Sequence, residues 1–206
     1  MSKILINNTT YKLDNKNYYE KEFLKQQIVI GNSFSSNMSH VIGWKTRHNG
    51  EYKRTAPFSI DIFGNIYQHY DPKYYSKVFD SGEIDKHIIL ILIENEGWLI
   101  KDSIKNEYID WVGNIYNRKA EIIEKRWRNH TYWPSYTNEQ MESALKLVKY
   151  LCNMFDIPLR TVNHNTKFME VYEFRGVLYK SNFETYFTDV NPTWDANVFK
   201  NKLELI

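Results

Sequence analysis

The pattern of apolar and polar positions predicts three strand regions. The run HIILILIENEG (residues 87–97) is continuous, rich in β-branched residues and closed by a glycine, which is typical of a central strand covered on both faces. QIVIG (27–31) predicts a second buried strand that runs into a small, polar loop. APFSIDIFGNIYQHYDP (56–72) alternates apolar and polar residues on both sides of Phe63-Gly64-Asn65, which predicts a hairpin.

Two further stretches have helical spacing. In TNEQMESALKLVKYLCNMF (137–155), Thr137 and Gln140 match a capping box. One apolar stripe follows, formed by Met141, Ala144, Leu145, Val148, Leu151, Cys152 and Phe155. NMSHVIGWKTR (37–47) predicts a shorter helix, and the chain closes with another after a polar loop. Strands separated by helices and one hairpin predict an α/β fold with a mixed central β-sheet flanked by helices.

The amino-terminal residues indicate a separate element. KILIN (3–7) and TYKLD (10–14) flank Asn7-Asn8 and predict a β-hairpin, although a lone hairpin is only marginally stable. We therefore expect an N-terminal extension over residues 1–25 and a single domain over residues 26–206.

Composition narrows the classes of function. Apolar residues make up 42% of the 206 residues and aromatic residues 16%, which predicts a packed core. A net charge of +2 gives no general attraction to nucleic acid or to a membrane surface, so neither is expected as a partner. The longest apolar run, Ile88 to Ile93, is too short to span a bilayer. No signal peptide is evident, which predicts synthesis in the cytoplasm. The single cysteine, Cys152, excludes an internal disulfide.

The candidate metal ligands lie far apart in the sequence. Six histidines occur, and none forms an H-x-x-x-H or H-E-x-x-H pair, so no helix-borne metal site is predicted. His164 in TVNHNT follows a strand-like piece and lies in a loop, where it is either a displayed functional group or a histidine bonded to backbone. Asp189 in TDVNPTWD is either a ligand or a turn-forming residue before Pro192.

Six segments occur in an order that resembles a known enzyme family: QIVIGNS, APFSIDIFGNIYQHYDP, IILILIENEG, YTNEQMESALKLVKYLC, NHNT and TDVNPTWD. They resemble the zinc-dependent N-acetylmuramoyl-L-alanine amidases of type 2, which include phage endolysins and peptidoglycan recognition proteins. The resemblance extends from about Gln27 to Phe199. It implies a single amidase-2-like domain, zinc as the cofactor, and peptidoglycan or a muramyl peptide as the partner.

Residue by residue, the resemblance implies an altered active site. His164 takes the second zinc-ligand position and Asp189 the third, whereas the first falls on Gly31. The family's glutamate on the central strand falls on Leu92, and its lysine before the third ligand falls on Phe187. Two ligands hold zinc poorly, and these two apolar side chains can neither transfer a proton nor stabilise an oxyanion. The sequence therefore predicts no catalytic residue at these positions and weak zinc binding.

Three functions remain open at this stage. The first is a degenerate amidase that binds peptidoglycan, or that serves with phage structural proteins as a virion-associated part of a tail or baseplate. Its groove is predicted to be lined by Asn32, Trp44, Asn165 and Asn182. Each of these residues equally fits a turn or the core, and for Trp44 the core is the favoured interpretation. The second is a working amidase in which His40 or His69 completes the metal site. The third is a protein that holds a small molecule in the same groove.

One aromatic segment has two interpretations. RWRNHTYWPSY (126–136) is either a surface for a protein partner or a packed loop with a basic edge.

Overall fold

A six-stranded mixed sheet forms the centre of the computed structural model, which describes residues 4–79, 81–118, 120–164 and 169–205. In order across the sheet, the strands are β1 (Ile6–Asn7), β4 (Ile66–Gln68), β3 (Phe58–Ile60), β5 (Ile88–Ile93), β2 (Gln27–Asn32) and β10 (Gly176–Tyr179). The neighbours β10, β2, β5 and β3 are parallel, and β4 is antiparallel to β3. The predicted mixed α/β sheet and the hairpin around Phe63-Gly64-Asn65 are confirmed.

Two small antiparallel hairpins lie between β5 and the long helix. They consist of β6 (Ile100–Asp102) with β7 (Glu107–Ile109), and β8 (Ile122–Trp127) with β9 (His130–Pro134). The aromatic segment 126–136 runs from the end of β8 through the turn and β9 to just beyond it. Trp133 in this hairpin is fully buried, as expected for a packed loop.

Helices cover both faces of the sheet. They are α1 (Ser39–Thr46), α2 (Ile84–His87), α3 (Asn138–Phe155) and α4 (Ala196–Glu204), with 3-10 turns at Arg47–Gly50, Met169–Tyr172 and Lys180–Asn182. Alternate residues of β2 and β5 divide between two cores because successive side chains of a strand point to opposite faces. Ile28, Ile30 and Ile91 pack with α3 and α4, whereas Val29 and Leu92 pack with α1. No helix within the described ranges is long and apolar enough to cross a membrane.

The capping box predicted for α3 is present. The Thr137 hydroxyl accepts a hydrogen bond from the Gln140 backbone N–H at 3.1 Å, and the Thr137 backbone N–H donates to Gln140 Oε1 at 3.0 Å. This reciprocal pair satisfies two N–H groups that have no partner inside the helix. In α1, Val41 and Trp44 are buried, whereas Ile42 is 59% exposed because the short helix covers the sheet with only one face.

The predicted N-terminal hairpin is not formed by the described residues. β1 pairs in parallel with β4 instead, and the Leu13 N–H donates to the His69 carbonyl at 2.8 Å. The Asn7 side chain explains this path, since its Oδ1 accepts from the backbone N–H groups of Thr9 and Thr10 at 3.1 Å. That local turn directs the chain away from its own first strand and along the body of the molecule.

Candidate functional site

A cleft of about 730 Å³ lies at the carboxyl ends of the parallel strands, on the face of the sheet that carries α1. Crevices at this edge are the usual ligand sites of open α/β sheets. Its floor comes from β2 and β5, and one wall comes from the segment 186–189 that follows β10. The hairpins after β5 and the residues next to them contribute Trp98, Trp111 and His130 to the lining.

The sheet register brings the predicted site positions together in this cleft. Gly31 of β2 lies directly beside Leu92 of β5. A Cβ atom at residue 31 would lie 3.2 Å from Asp189 Oδ1 and 3.4 Å from Leu92 Cδ2. Two zinc-ligand positions of the resemblance, 31 and 189, and the position of the family's glutamate, 92, therefore meet at one point.

The Asp189 carboxylate is buried and held in place by its neighbours. Its Oδ1 accepts a hydrogen bond from the Asn32 backbone N–H at 2.7 Å, and its Oδ2 lies 3.9 Å from Lys180 Nζ. Burial raises the pKa of the Asp189 carboxyl, while Lys180, the Asn32 N–H and Arg128 act in the opposite direction. The carboxylate is thus engaged by groups of the protein itself.

Lys180 is a residue of this site that the sequence did not indicate. A Cβ at residue 31 would meet its Cδ at 3.3 Å, so the lysine stem runs through the space beside Gly31. The ammonium lies 4.5 Å from the centroid of the Phe187 ring. The resemblance places the family's lysine at residue 187, and here a lysine from the end of β10 brings its charge to that ring. A lysine directly after the apolar run GVLY was the one available signal.

His164 does not share the cleft with Asp189. It lines a second pocket of about 440 Å³, together with Lys125, Thr193, Asp195 and others. Its ring lies against Trp127 and Tyr179, and its buried Nδ1 has no hydrogen-bond partner among the described residues. Burial, with Lys125 and Arg128 nearby, lowers the pKa of His164 to about 4.

The two other histidines considered for a metal site are engaged in a hydrogen-bond chain. Ser59 Oγ lies 2.9 Å from His40 Nε2 and 2.8 Å from His69 Nε2. His40 Nδ1 lies 2.8 Å from Ser35 Oγ, and His69 Nδ1 lies 2.9 Å from the Tyr11 carbonyl oxygen. Each ring nitrogen of both histidines therefore has a protein partner.

The described residues do not fit a zinc ion. A catalytic zinc takes three protein ligands and keeps a fourth position for water. Position 31 offers no side chain, Asp189 faces an ammonium, and His164 lines another pocket. Within the described ranges, no group of three or more His, Cys, Asp or Glu side chains is arranged to hold a metal.

The four predicted substrate contacts have different surroundings. Asn32 lines the cleft, and its Nδ2 is buried with no partner among the described residues. Trp44 is largely buried, with one edge on the cleft. Asn182 is fully buried and does not line the cleft, because its amide is bonded to the Tyr179 N–H and the Asn163 carbonyl. Asn165 lies outside the described residues.

The cleft lining combines positive charge with exposed aromatic rings. Four cations line it, Arg47, Arg54, Lys77 and Lys180, against two carboxylates, Asp110 and Asp189. Trp111 is 46% exposed and Tyr186 is 73% exposed. Such a surface can stack on a sugar or peptide and attract an anionic group.

The comparisons with known proteins report on the fold. Neither a scan against protein-family models nor a search of curated proteins gives a match. Among solved structures, LysC, an N-acetylmuramoyl-L-alanine amidase from Clostridium intestinale URNW, is 14% identical with a TM-score of 0.54 over 98% of both chains. A mutant of PlyL is 11% identical with a TM-score of 0.56, over 98% of this chain and 100% of that one.

A third solved structure was determined with a ligand. AMPDH3 from Pseudomonas aeruginosa, in complex with anhydromuramic pentapeptide, is 11% identical with a TM-score of 0.53, over 98% of this chain and 66% of that one. These likenesses show that the chain has the amidase-2-like fold that its sequence predicted.

Proposed function

We propose that this protein binds peptidoglycan, or a muramyl peptide derived from it, in the cleft beside Gly31 without zinc-dependent hydrolysis. The observation that carries the proposal is the set of side chains at the point where Gly31, Leu92 and Asp189 meet. An amidase needs a metal to polarise the amide carbonyl and activate water, and a carboxylate to move protons. Here a lysine and a leucine lie beside the only carboxylate at that point among the described residues.

The cleft retains what binding requires. Exposed Trp111 and Tyr186 offer ring faces to a sugar, and the four lining cations suit the carboxylates of a stem peptide. The Trp111 ring is fixed by a hydrogen bond of 2.9 Å from its Nε1 to the Phe34 carbonyl. A ring that is already held in place loses little entropy when a ligand stacks on it.

Binding and hydrolysis can be measured on the same preparation. Purified peptidoglycan should pellet the protein, and isothermal titration calorimetry should detect a soluble muramyl peptide. Trp111→Ala should weaken binding about tenfold, on the scale of an aromatic contact. Tyr172→Ala is the matched control, because Tyr172 is also an exposed ring and does not line the cleft.

The hydrolytic alternative gives a different result. We expect no loss of turbidity in a peptidoglycan suspension, with or without added zinc. Turbidity loss that a chelator abolishes, and that His164→Ala also abolishes, would establish a working amidase with a rearranged metal site. An absence of binding to both peptidoglycan and muramyl peptide would disprove the proposed function.

A further inference from the structure

The side chain of Lys180 occupies the centre of the degenerate site. Its methylene stem passes Gly31, where a Cβ would lie 3.3 Å from Cδ. The stem is unobstructed there because residue 31 has no side chain. Gly31, which offers no side chain as a first zinc ligand, thus also leaves the space that the Lys180 stem occupies.

The Lys180 ammonium is held by two contacts, but its N–H donors remain open to a ligand. It lies 3.9 Å from Asp189 Oδ2 and 4.5 Å from the centroid of the Phe187 ring, so one segment of chain holds it from two sides. The distance to Asp189 Oδ2 is too long for a hydrogen bond. An ammonium carries three N–H donors, and this side chain is 18% exposed and lines the cleft. Its donors are therefore available to a ligand.

Asn32 fixes the Asp189 carboxylate beside this ammonium. Its backbone N–H donates to Asp189 Oδ1, and its side-chain Oδ1 accepts from the Tyr136 hydroxyl. Tyr136 in turn accepts from the Asn191 N–H at 3.3 Å, so its own proton is directed at Asn32. The Asn32 side chain shares the α3 face of the sheet with Ile28 and Ile30, and its Nδ2 is enclosed there. Asn32 therefore acts on the cleft through its backbone N–H.

The Asn32 backbone N–H and the Lys180 ammonium face different oxygens of the Asp189 carboxylate. We propose that the Lys180 ammonium forms a subsite for a carboxylate of the ligand and supplies the positive charge that a metal supplies in a hydrolytic site. This inference rests on the proposed function and names the group of the muramyl peptide that the cleft recognises. A charged donor suits an anionic oxygen, because charge-assisted hydrogen bonds are stronger than neutral ones.

The same arrangement opposes metal binding. A divalent cation beside Asp189 would lie next to the Lys180 ammonium, and like charges at such short range repel. The fixed charge of Lys180 thus makes the subsite selective for anions and independent of metal.

The test compares one ligand in two forms. Isothermal titration calorimetry would use the intact protein with a muramyl dipeptide that has a free carboxylate and with the same compound amidated at that carboxylate. The free acid should bind about tenfold to a hundredfold more tightly, on the scale of a hydrogen bond to a charged group. This comparison needs no variant and does not depend on the folding of one.

Variants then assign the effect to Lys180. Lys180→Met keeps the length of the side chain and removes the charge, so it should abolish the preference for the acid. Lys180→Arg should retain part of the preference. Lys146→Met is the control, because Lys146 is exposed on α3 and lies away from the cleft.

The outcomes separate this inference from the proposed function. Equal affinity for acid and amide, or a preference that survives in Lys180→Met, would overturn the carboxylate subsite while binding itself stands. Stoichiometric zinc uptake that strengthens binding would overturn the replacement of the metal by Lys180. If neither form binds, the proposed function itself fails.

Discussion

At the scale of single residues, the site depends on the pairing of Gly31 with Lys180. The strand would accept a larger residue at position 31 only if Asp189 or Lys180 moved. The lysine end is flexible, but Asp189 Oδ1 is fixed by the Asn32 N–H and by burial. The absence of a side chain at residue 31 is therefore a packing requirement of the present site.

This requirement predicts the effect of Gly31→Ala. The added Cβ would lie 3.2 Å from a carboxylate oxygen that cannot shift freely, so the free energy of unfolding should fall by about 1–2 kcal/mol, as for other overpacked positions. Urea unfolding measures the change. Gly82→Ala is the control, because a Cβ there meets nothing within 4 Å. Equal changes in the free energy of unfolding for the two variants would show that a Cβ at position 31 is accommodated without strain.

The chain of hydrogen bonds through Ser59 fixes the protonation of two histidines. The Tyr11 carbonyl can only accept, so His69 carries its proton on Nδ1 and accepts from Ser59 at Nε2. Ser59 then accepts from His40 Nε2, and His40 accepts from Ser35 at Nδ1. Burial, reinforced by the neighbouring His69, lowers the pKa of His40 to about 3. Burial also lowers the pKa of His69 to about 4, against the effect of its bond to Tyr11.

Both histidines should therefore remain neutral, in opposite tautomers, at pH 5.5. Long-range ¹H–¹⁵N NMR spectra distinguish a proton on Nε2 of His40 from one on Nδ1 of His69. Protonation of either buried ring at pH 5.5 would contradict the assignment of donors and acceptors in this series of hydrogen bonds.

The same pKa shifts predict how stability changes with pH. Because the folded pKa lies below the unfolded value of about 6.5, the unfolded state binds more protons as the pH falls from about 6.5 toward 4, and stability is lost there. The loss at pH 5 should be on the order of 2 kcal/mol for His69. Burial raises the pKa values of the Asp189, Glu94 and Glu96 carboxyls and so acts in the opposite direction. Unfolding curves of His69→Gln at pH 7 and pH 5 isolate the effect, since this variant should lose less stability than the unaltered protein.

At the scale of elements, the sequence predicted the strands and helices in which apolar residues recur at a regular spacing. The β-branched run of β5, the alternating hairpin of β3 and β4, and the apolar stripe of α3 each depend on local periodicity. β10 was missed because its four residues, GVLY, are too few to establish a period. The strand-like piece before His164 forms only a single β-bridge, between Thr161 and Val177. The sequence therefore located this pairing but overestimated its length.

The candidate site was predictable in part for the same reason. Gly31, Leu92 and Asp189 converge because their motifs are tied to strand register and to the loop after β10. The contribution of Lys180 was not predictable, because it depends on the conformation of a flexible side chain that crosses from β10 to Gly31 of β2. Asn182 was predicted as a ligand contact, and the structure shows its amide bonded to neighbouring backbone groups, which a sequence pattern does not reveal.

The capping box of α3 gives a prediction at this scale. The Thr137 hydroxyl accepts from the Gln140 N–H and also donates to the Ile62 carbonyl at 2.9 Å, which ties the helix to the β3–β4 hairpin. Thr137→Ala should lower the free energy of unfolding by about 1–2 kcal/mol, as measured for other N-cap threonines. Thr46→Ala should cost less, because its hydroxyl bonds only to carbonyls of its own helix. Urea unfolding of both variants tests the difference. Equal losses in the free energy of unfolding would show that the Thr137 cap stabilises the protein no more than the Thr46 hydroxyl does.

At the scale of the whole molecule, charge is distributed unevenly. The net charge is only +2, yet the cleft is lined by four cations and two carboxylates. Screening is strong beyond about 8 Å at physiological salt, so an anionic ligand responds to the cleft more than to the net charge. The electrostatic part of binding is consequently local.

This distribution predicts how salt affects binding. Raising sodium chloride from about 0.05 M to about 0.5 M shortens the screening length from roughly 14 Å to roughly 4 Å. The affinity for a muramyl dipeptide with a free carboxylate should fall several-fold, while that of the amidated compound should change little, because stacking on Trp111 and Tyr186 is uncharged. Calorimetry at four salt concentrations gives both slopes, and Lys77→Met should flatten only the slope of the acid, since Lys77 lines the cleft. Parallel slopes for the two compounds would mean that the ligand's carboxylate stays in solvent, outside the reach of the cleft cations.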